Sequence, residues 1–224
     1  MPYYIDLKEI GLDEFQKKLV ENELLPSRLI LREKLAERFA SFKKASIKNL
    51  FELQQLLKKK EKLVEFAKTS GLPEAYLTIL IREINSLQPK PSNFKDFQHL
   101  FNDVILKLEK LGIKNTFQLF DKVITHKSRK ELAKLAAISD DEILVLTKLS
   151  DLSRIRWVGN TFAWVLFSSG FDSVEKVANA DYKNLYKTIL EMNKDKKYYK
   201  GQIGLNDMKL LVNAAKELKL DIEY

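Results

Sequence analysis

Residues 46–80 of this chain align with residues 112–146 at a constant spacing of 66 and without a gap, and that repetition limits the folds open to it more than any other property. Ile47-Lys48-Asn49 is answered by Ile113-Lys114-Asn115, Phe51 and Leu53 by Phe117 and Leu119, and Phe66-Ala67 by Leu132-Ala133. Leu72, Leu77 and Leu80 are answered by Ile138, Ile143 and Leu146. A period of this length describes one supersecondary unit that buries its apolar face against a neighbouring copy. A third copy starts where Gly170-Phe171-Asp172-Ser173 matches Gly112-Ile113-Lys114-Asn115 at a spacing of 58. It resumes where Leu205-Asn206 and Leu210 match Ile138-Ser139 and Ile143 at a spacing of 67. The difference is absorbed near Asn193 to Gly201, which reads as an exposed loop rich in lysine and tyrosine.

Inside each unit the apolar spacing is that of a half-buried helix: Leu31, Leu35, Phe39 and Phe42 in one copy, Phe97, Phe101, Ile105 and Leu108 in the next. No stretch alternates as a strand does. Asn49, Asn115, Ser139, Ser173 and Asn206 sit where a side-chain oxygen caps the next helix, and Pro73 suits a first helical turn. A unit therefore reads as a helix ending near Ala45 or Gly112, a tight turn, two short helices parted by a basic loop, and a longer helix such as 73–87 or 139–153. The expected fold is all-α, built from tandem helical repeats of about 66 residues. Gln88-Pro89-Lys90-Pro91-Ser92-Asn93 cannot continue a helix, since each proline also restricts the residue before it. It divides an N-terminal unit, 1–88, from a C-terminal region, 92–224, that holds the second and third copies.

Composition narrows the chemistry. The 224 residues contain no cysteine, which removes disulfides, thiolate metal sites and cysteine nucleophiles. The start of the chain lacks the apolar core of a secretory signal, and no run approaches a membrane span, so the expected address is cytoplasmic. The formal charge is +8, a balance that favours phosphate contact only where charges share a face. Arg28 to Lys68 concentrates twelve basic residues against five glutamates.

One segment carries a chemical pattern. Leu152-Ser153-Arg154-Ile155-Arg156-Trp157-Val158-Gly159-Asn160-Thr161-Phe162-Ala163 has two apolar residues, a short turn with Gly159, and Ala163 for close helix packing. Such a turn lets backbone amides at a helix N-terminus approach a phosphate. Ser150-Asp151-Leu152-Ser153-Arg154-Ile155, taken with Val158-Gly159, Ala163, Gly170 and Asp172-Ser173-Val174, resembles the bacterial proteins catalogued as domain of unknown function 4332. The resemblance is closest over 106–190. That family is in turn similar to helix-hairpin-helix DNA-binding modules, so the resemblance implies a helix-hairpin-helix-like region and backbone contact with DNA or RNA. Where the DNA-binding pattern has its first turn glycine, this chain has Trp157, whose bulk stands in the way of close approach.

The residues that would make the contact are Arg154, Arg156, Gly159, Asn160 and Thr161, with Lys58, Lys59, Lys60, Lys127, Arg129 and Lys130 as a secondary basic patch. Each has a plainer reading as well. Arginines beside a helix end are often solvated or paired with the dipole, and lysine runs are common in surface loops. Trp157 and Trp164 are either stacking platforms for bases or packing groups. His99 and His126 have no acid–base partner nearby in sequence, and no metal-ligand spacing or nucleophile elbow is present. Asp140, Asp141 and Glu142 follow the cap Ser139, where the helix dipole favours negative charge. The chain is accordingly expected to be no enzyme and to use no cofactor. Its partner is expected to be nucleic-acid backbone or, alternatively, another protein that docks on a helical scaffold.

Overall fold

A computed structural model describes residues 3–97 and 99–224. Among them the chain is all-helical, with no β-strand. Among the described residues no helix is long and apolar enough to cross a membrane. The chain forms two compact bodies: Ile5–Gln88, and Tyr3 and Tyr4 with Pro89–Tyr224. The first two described residues thus leave the N-terminal unit expected at 1–88. Their side chains explain why: the Tyr3 hydroxyl bonds Thr116 Oγ1 at 2.7 Å, and the Tyr3 ring meets Phe117 and Phe120 edge-on.

The first body holds α1 (Leu12–Glu21), a 3₁₀ turn (Pro26–Arg32), α2 (Leu35–Lys44), α3 (Leu50–Leu57), α4 (Lys60–Ser70) and α5 (Glu74–Ser86). The stripe Leu31, Leu35, Phe39, Phe42 faces the core, but on two helices, because Lys34 turns left-handed at φ 45° between them. Phe39, Phe42, Leu50 and Leu53 pack with Tyr76, Leu77, Leu80 and Ile84 of α5 into one apolar core. Burying each such side chain contributes about 1.5–3 kcal/mol. Arg32 donates to the carbonyls of Leu19 and Asn22 and so closes the end of α1. Pro73 stands one residue ahead of α5, at its cap position.

The second body holds a 3₁₀ turn (Phe94–Asp96), α6 (Asn102–Lys110), α7 (Thr116–Phe120), α8 (His126–Ala136), α9 (Asp140–Leu152), α10 (Asn160–Ser168), α11 (Val174–Ala178), α12 (Tyr182–Met192), a 3₁₀ turn (Lys194–Lys196) and α13 (Leu205–Lys216). Helices α7, α8 and α9 begin at residues 116, 126 and 140, each 66 beyond the start of α3, α4 and α5 at 50, 60 and 74. The caps match too. Asn49 Oδ1 accepts from the amide of Glu52, and Asn115 Oδ1 from that of Gln118, both at 3.0 Å. Phe101 departs from its expected place in the apolar stripe: it caps α6 from outside and is 70% exposed.

Ser173 caps α11 as its position suggests, accepting from the amide of Lys176. The start of α13 differs from the reading above. Its cap is Gly204, whose amide donates to Asp207 at 2.9 Å, and not Asn206. The match between α9 and α13 therefore runs from Ser139 to Gly204, a spacing of 65, and places Met208 and Leu211 in the core where Ile143 and Leu146 stand in α9. An apolar-for-apolar alignment slips by two positions at little cost in sequence, whereas a cap pair with its carboxylate does not.

Candidate nucleic-acid interface

The turn between α9 and α10 is set by three apolar anchors. Leu152, Ile155 and Val158 are buried, and the amides of Ile155 and Val158 donate to the carbonyls of Leu152 and Ile155 at 3.1 Å. Between the last two anchors the chain must reverse, and Trp157 does so at φ 68°, a left-handed conformation that costs a non-glycine residue about 1–2 kcal/mol. Its side chain consequently points outward and is 45% exposed. The Arg156 guanidinium lies 4.4 Å from the Trp157 ring centroid, so charge and π face are presented together.

Gly159 precedes α10 in an extended conformation, and no side chain caps the helix there. A Cβ at this position would meet nothing within 4 Å, so the approach to the first turn is open. Thr161 is exposed, while the half-buried Asn160 donates its side-chain amide to the carbonyl of Asp96. Gly159, Asn160, Thr161 and Arg156 thus lie at and just before one helix start.

Arg154 is not part of that surface. It is 2% exposed and its donors are used: Nη1 to Asp151 Oδ1 at 2.8 Å, Nη2 to the carbonyl of Lys219 at 2.9 Å and to Asp221 Oδ2 at 3.2 Å, and Nε to the carbonyl of Tyr3. The guanidinium also covers the Phe120 ring at 4.4 Å. Asp151 receives the amide of Val174 and the hydroxyl of Tyr224 on its other oxygen. Burial pushes the Asp151 carboxyl up, against the pull of Arg154 and these hydrogen bonds. The cause of Arg154's position is local. Arginine three residues after aspartate, between the buried Leu152 and Ile155, faces inward with the apolar stripe, and that spacing was the available signal.

The secondary basic patch divides similarly. Lys58, Lys59 and Lys60 are exposed where α3 gives way to α4 in the first body. In the second body Lys127 and Lys130 are exposed, whereas Arg129 is buried and donates to the carbonyls of Val123, Ile124 and Glu223. Arg129 Nη2 also meets His126 Nδ1 at 2.8 Å. Arg129 holds its own helix start and the chain beyond α13 in place, and is no surface contact.

Ser139 and Glu142 form a reciprocal capping pair, and hydrogen bonds from Ser139 hold the Glu142 carboxyl below its usual range. That accounts for the carboxylate run at the start of α9. Among the described residues no group of three or more histidines, aspartates or glutamates is arranged to hold a metal. A cleft of about 280 Å³ lies along His126, Lys130, Asp140, Leu144, Lys148 and Tyr224, with charges of both signs on its wall. Trp164 is half-buried, stacked on His99 at 4.7 Å and tilted against Phe167. His99 is distant from Trp164 in sequence, and no periodic pattern pointed to the pair.

No curated protein and no solved structure matches the chain. A family model does, over residues 98–218, which spans α6 to α13, the α9–α10 turn and more than half of the 224 residues. The turn, its buried Asp151–Arg154 pair and the helices on either side lie inside that match, and the chain belongs to the family described as domain of unknown function (DUF4332).

Proposed function

We propose that this protein is a non-enzymatic helical module that binds the sugar-phosphate backbone of nucleic acid through the first turn of α10, in the manner of a helix-hairpin-helix turn. One observation carries the reading: α10 opens at a glycine with free space around it and no side-chain cap, beside the exposed Trp157 ring and the half-buried Arg156 guanidinium that lies over it. The amides and the dipole of a helix start attract an anion, and an arginine and an aromatic face supply the charge and stacking that a nucleotide offers partners for. The net charge of +8 adds long-range attraction. Matching starts of α3–α5 and α7–α9 support a repeated architecture, and the expected setting is the cytoplasm.

The test is fluorescence anisotropy with labelled nucleic acid at low and near-physiological salt, comparing the wild type with Gly159→Asp and Arg156→Gln. Aspartate at the cap position stabilises a helix start by a few tenths of a kcal/mol over glycine while placing a negative charge where a phosphate would sit. Weaker binding by a protein that is no less stable is the expected result. Unchanged binding by both variants overturns the site. A second reading, a protein-interaction scaffold, is favoured by the withdrawal of Arg154 into the core and by the exposure of Trp157. Absence of binding at tens of micromolar in low salt, where non-specific affinity is far tighter than its physiological-salt range of about 10⁻⁴ to 10⁻⁶ M, overturns the nucleic-acid reading and leaves the scaffold.

A further inference from the structure

Asn193 closes α12 and is buried, and its side chain organises the segment that follows. Oδ1 accepts from the amides of Tyr198 and Tyr199 at 3.0 and 2.8 Å, and Nδ2 donates to the carbonyl of Tyr199 at 2.8 Å. The loop that reads in sequence as merely exposed is therefore clamped, and the clamp sets its two tyrosines against rings on and near α10. Tyr198 meets His99 edge-on at 5.6 Å, and His99 lies nearly parallel to Trp164 at 4.7 Å. Tyr199 meets Phe162 edge-on at 5.4 Å.

The same loop carries Lys194, Lys196, Lys197 and Lys200, all exposed and none in an ion pair among the described residues. Lys197 Nζ lies 4.9 Å from the Tyr198 centroid. Asp195 is the acid of the segment. The ring cluster adjoins the first turn of α10: His99, Trp164 and Tyr198 bound a recess of about 10 Å³ together with Asn160, Thr161 and Asp96. A volume near that of one water sphere admits no base, so a base must lie on the outer ring surfaces.

Resting on the reading of α10 above, we propose that the Asn193–Gly201 loop and the His99–Trp164 stack extend that site into a track for single-stranded nucleic acid. The bases lie against His99 and Tyr198, and the four lysines meet the phosphates that follow the one held at α10. A duplex keeps its base faces inside its own stack and presents only backbone. Only an unpaired strand uses rings and ammonium groups together, and ring stacking of that kind tolerates any base.

The experiment measures binding of a short labelled oligothymidylate and of a labelled duplex of equal length, by the wild type, by Tyr198→Leu, and by a variant with Lys194, Lys196, Lys197 and Lys200 all changed to Ser. The lysines are solvent-exposed, so the latter variant keeps its unfolding midpoint. The wild type is expected to prefer the single strand. Tyr198→Leu should lose about tenfold on it. The lysine variant should show a salt slope shallower by about 0.7 for each phosphate released. Tyr198→Leu should leave the duplex within about twofold. Equal affinity of the wild type for the two probes, unchanged strand binding by both variants, or equal loss on both probes with Tyr198→Leu overturns the track and leaves the α10 site standing. Failure of the wild type to bind either probe overturns both.

Discussion

Arg154 and Asp151 meet inside the second body, with Nη1 2.8 Å from Oδ1 and both side chains no more than 5% exposed. An ion pair so enclosed ties four stretches of chain together, because Arg154 also holds the carbonyls of Tyr3 and Lys219, and Asp151 also receives Val174 and Tyr224. Removing one partner strands the other charge. Arg154→Met is expected to destabilise the second body by about 3–5 kcal/mol, and Asp151→Asn to cost less because an amide still accepts one hydrogen bond. Urea unfolding measures both. A loss under about 1 kcal/mol for Arg154→Met contradicts a structural role.

Acid should weaken the fold through Asp172. Burial raises its carboxyl, but hydrogen bonds and charge from Lys148 and Lys176 outweigh that and hold it below the ordinary range. A carboxylate depressed in the folded state contributes stability above its unfolded value, about 3.9, and loses it as pH falls through the folded value. Asp151 is shifted the other way, so its contribution is present below about pH 3.9 and fades as pH rises through its higher folded value. Comparing urea midpoints of the wild type and Asp172→Asn from neutral pH to about pH 3 isolates the first effect. The difference between them should shrink on the acid side, and a difference that is constant with pH contradicts the pairing.

Trp157 separates strain from binding. Glycine at φ 68° carries none of the left-handed penalty, so Trp157→Gly should keep stability within about 1 kcal/mol of the wild type or raise it. If the exposed ring stacks on a base, the same change should weaken binding by about 1–3 kcal/mol. Calorimetry and anisotropy on one preparation give both numbers. Tighter binding by the glycine variant means the indole obstructs the backbone.

The matched caps make a paired prediction. Asn49→Ala and Asn115→Ala each remove one side-chain acceptor from the start of α3 and α7, and each should cost about 1 kcal/mol. Amide hydrogen exchange should lose protection at Glu52 in one variant and at Gln118 in the other. A cost at only one position contradicts their equivalence.

Much of the fold was legible in the chain because caps, proline breaks and helical spacing act over a few residues. Asn49, Asn115, Ser139 and Ser173 all cap the helices they precede, and Gln88-Pro89 marks where the two bodies divide. The site was legible in part. Gly159, Asn160, Thr161 and Arg156 gather at one helix start, while Arg154 and Arg129 turn inward to serve backbone carbonyls. Asp151 three residues ahead signalled the pairing of Arg154, but the carbonyls of Tyr3 and Lys219 that take up its other donors are brought to it only by packing.

Local pattern settled the helical class, the caps and the spacing of 66, since each depends on contacts between residues close along the chain. Tertiary structure alone decided the rest: that Tyr3 packs on α7, that Asp151 is enclosed by residues 174 and 224, and that His99 stacks on Trp164. Those contacts join positions tens of residues apart, and their burial and charge pairing arise only once the helices are packed and water has been excluded from between them.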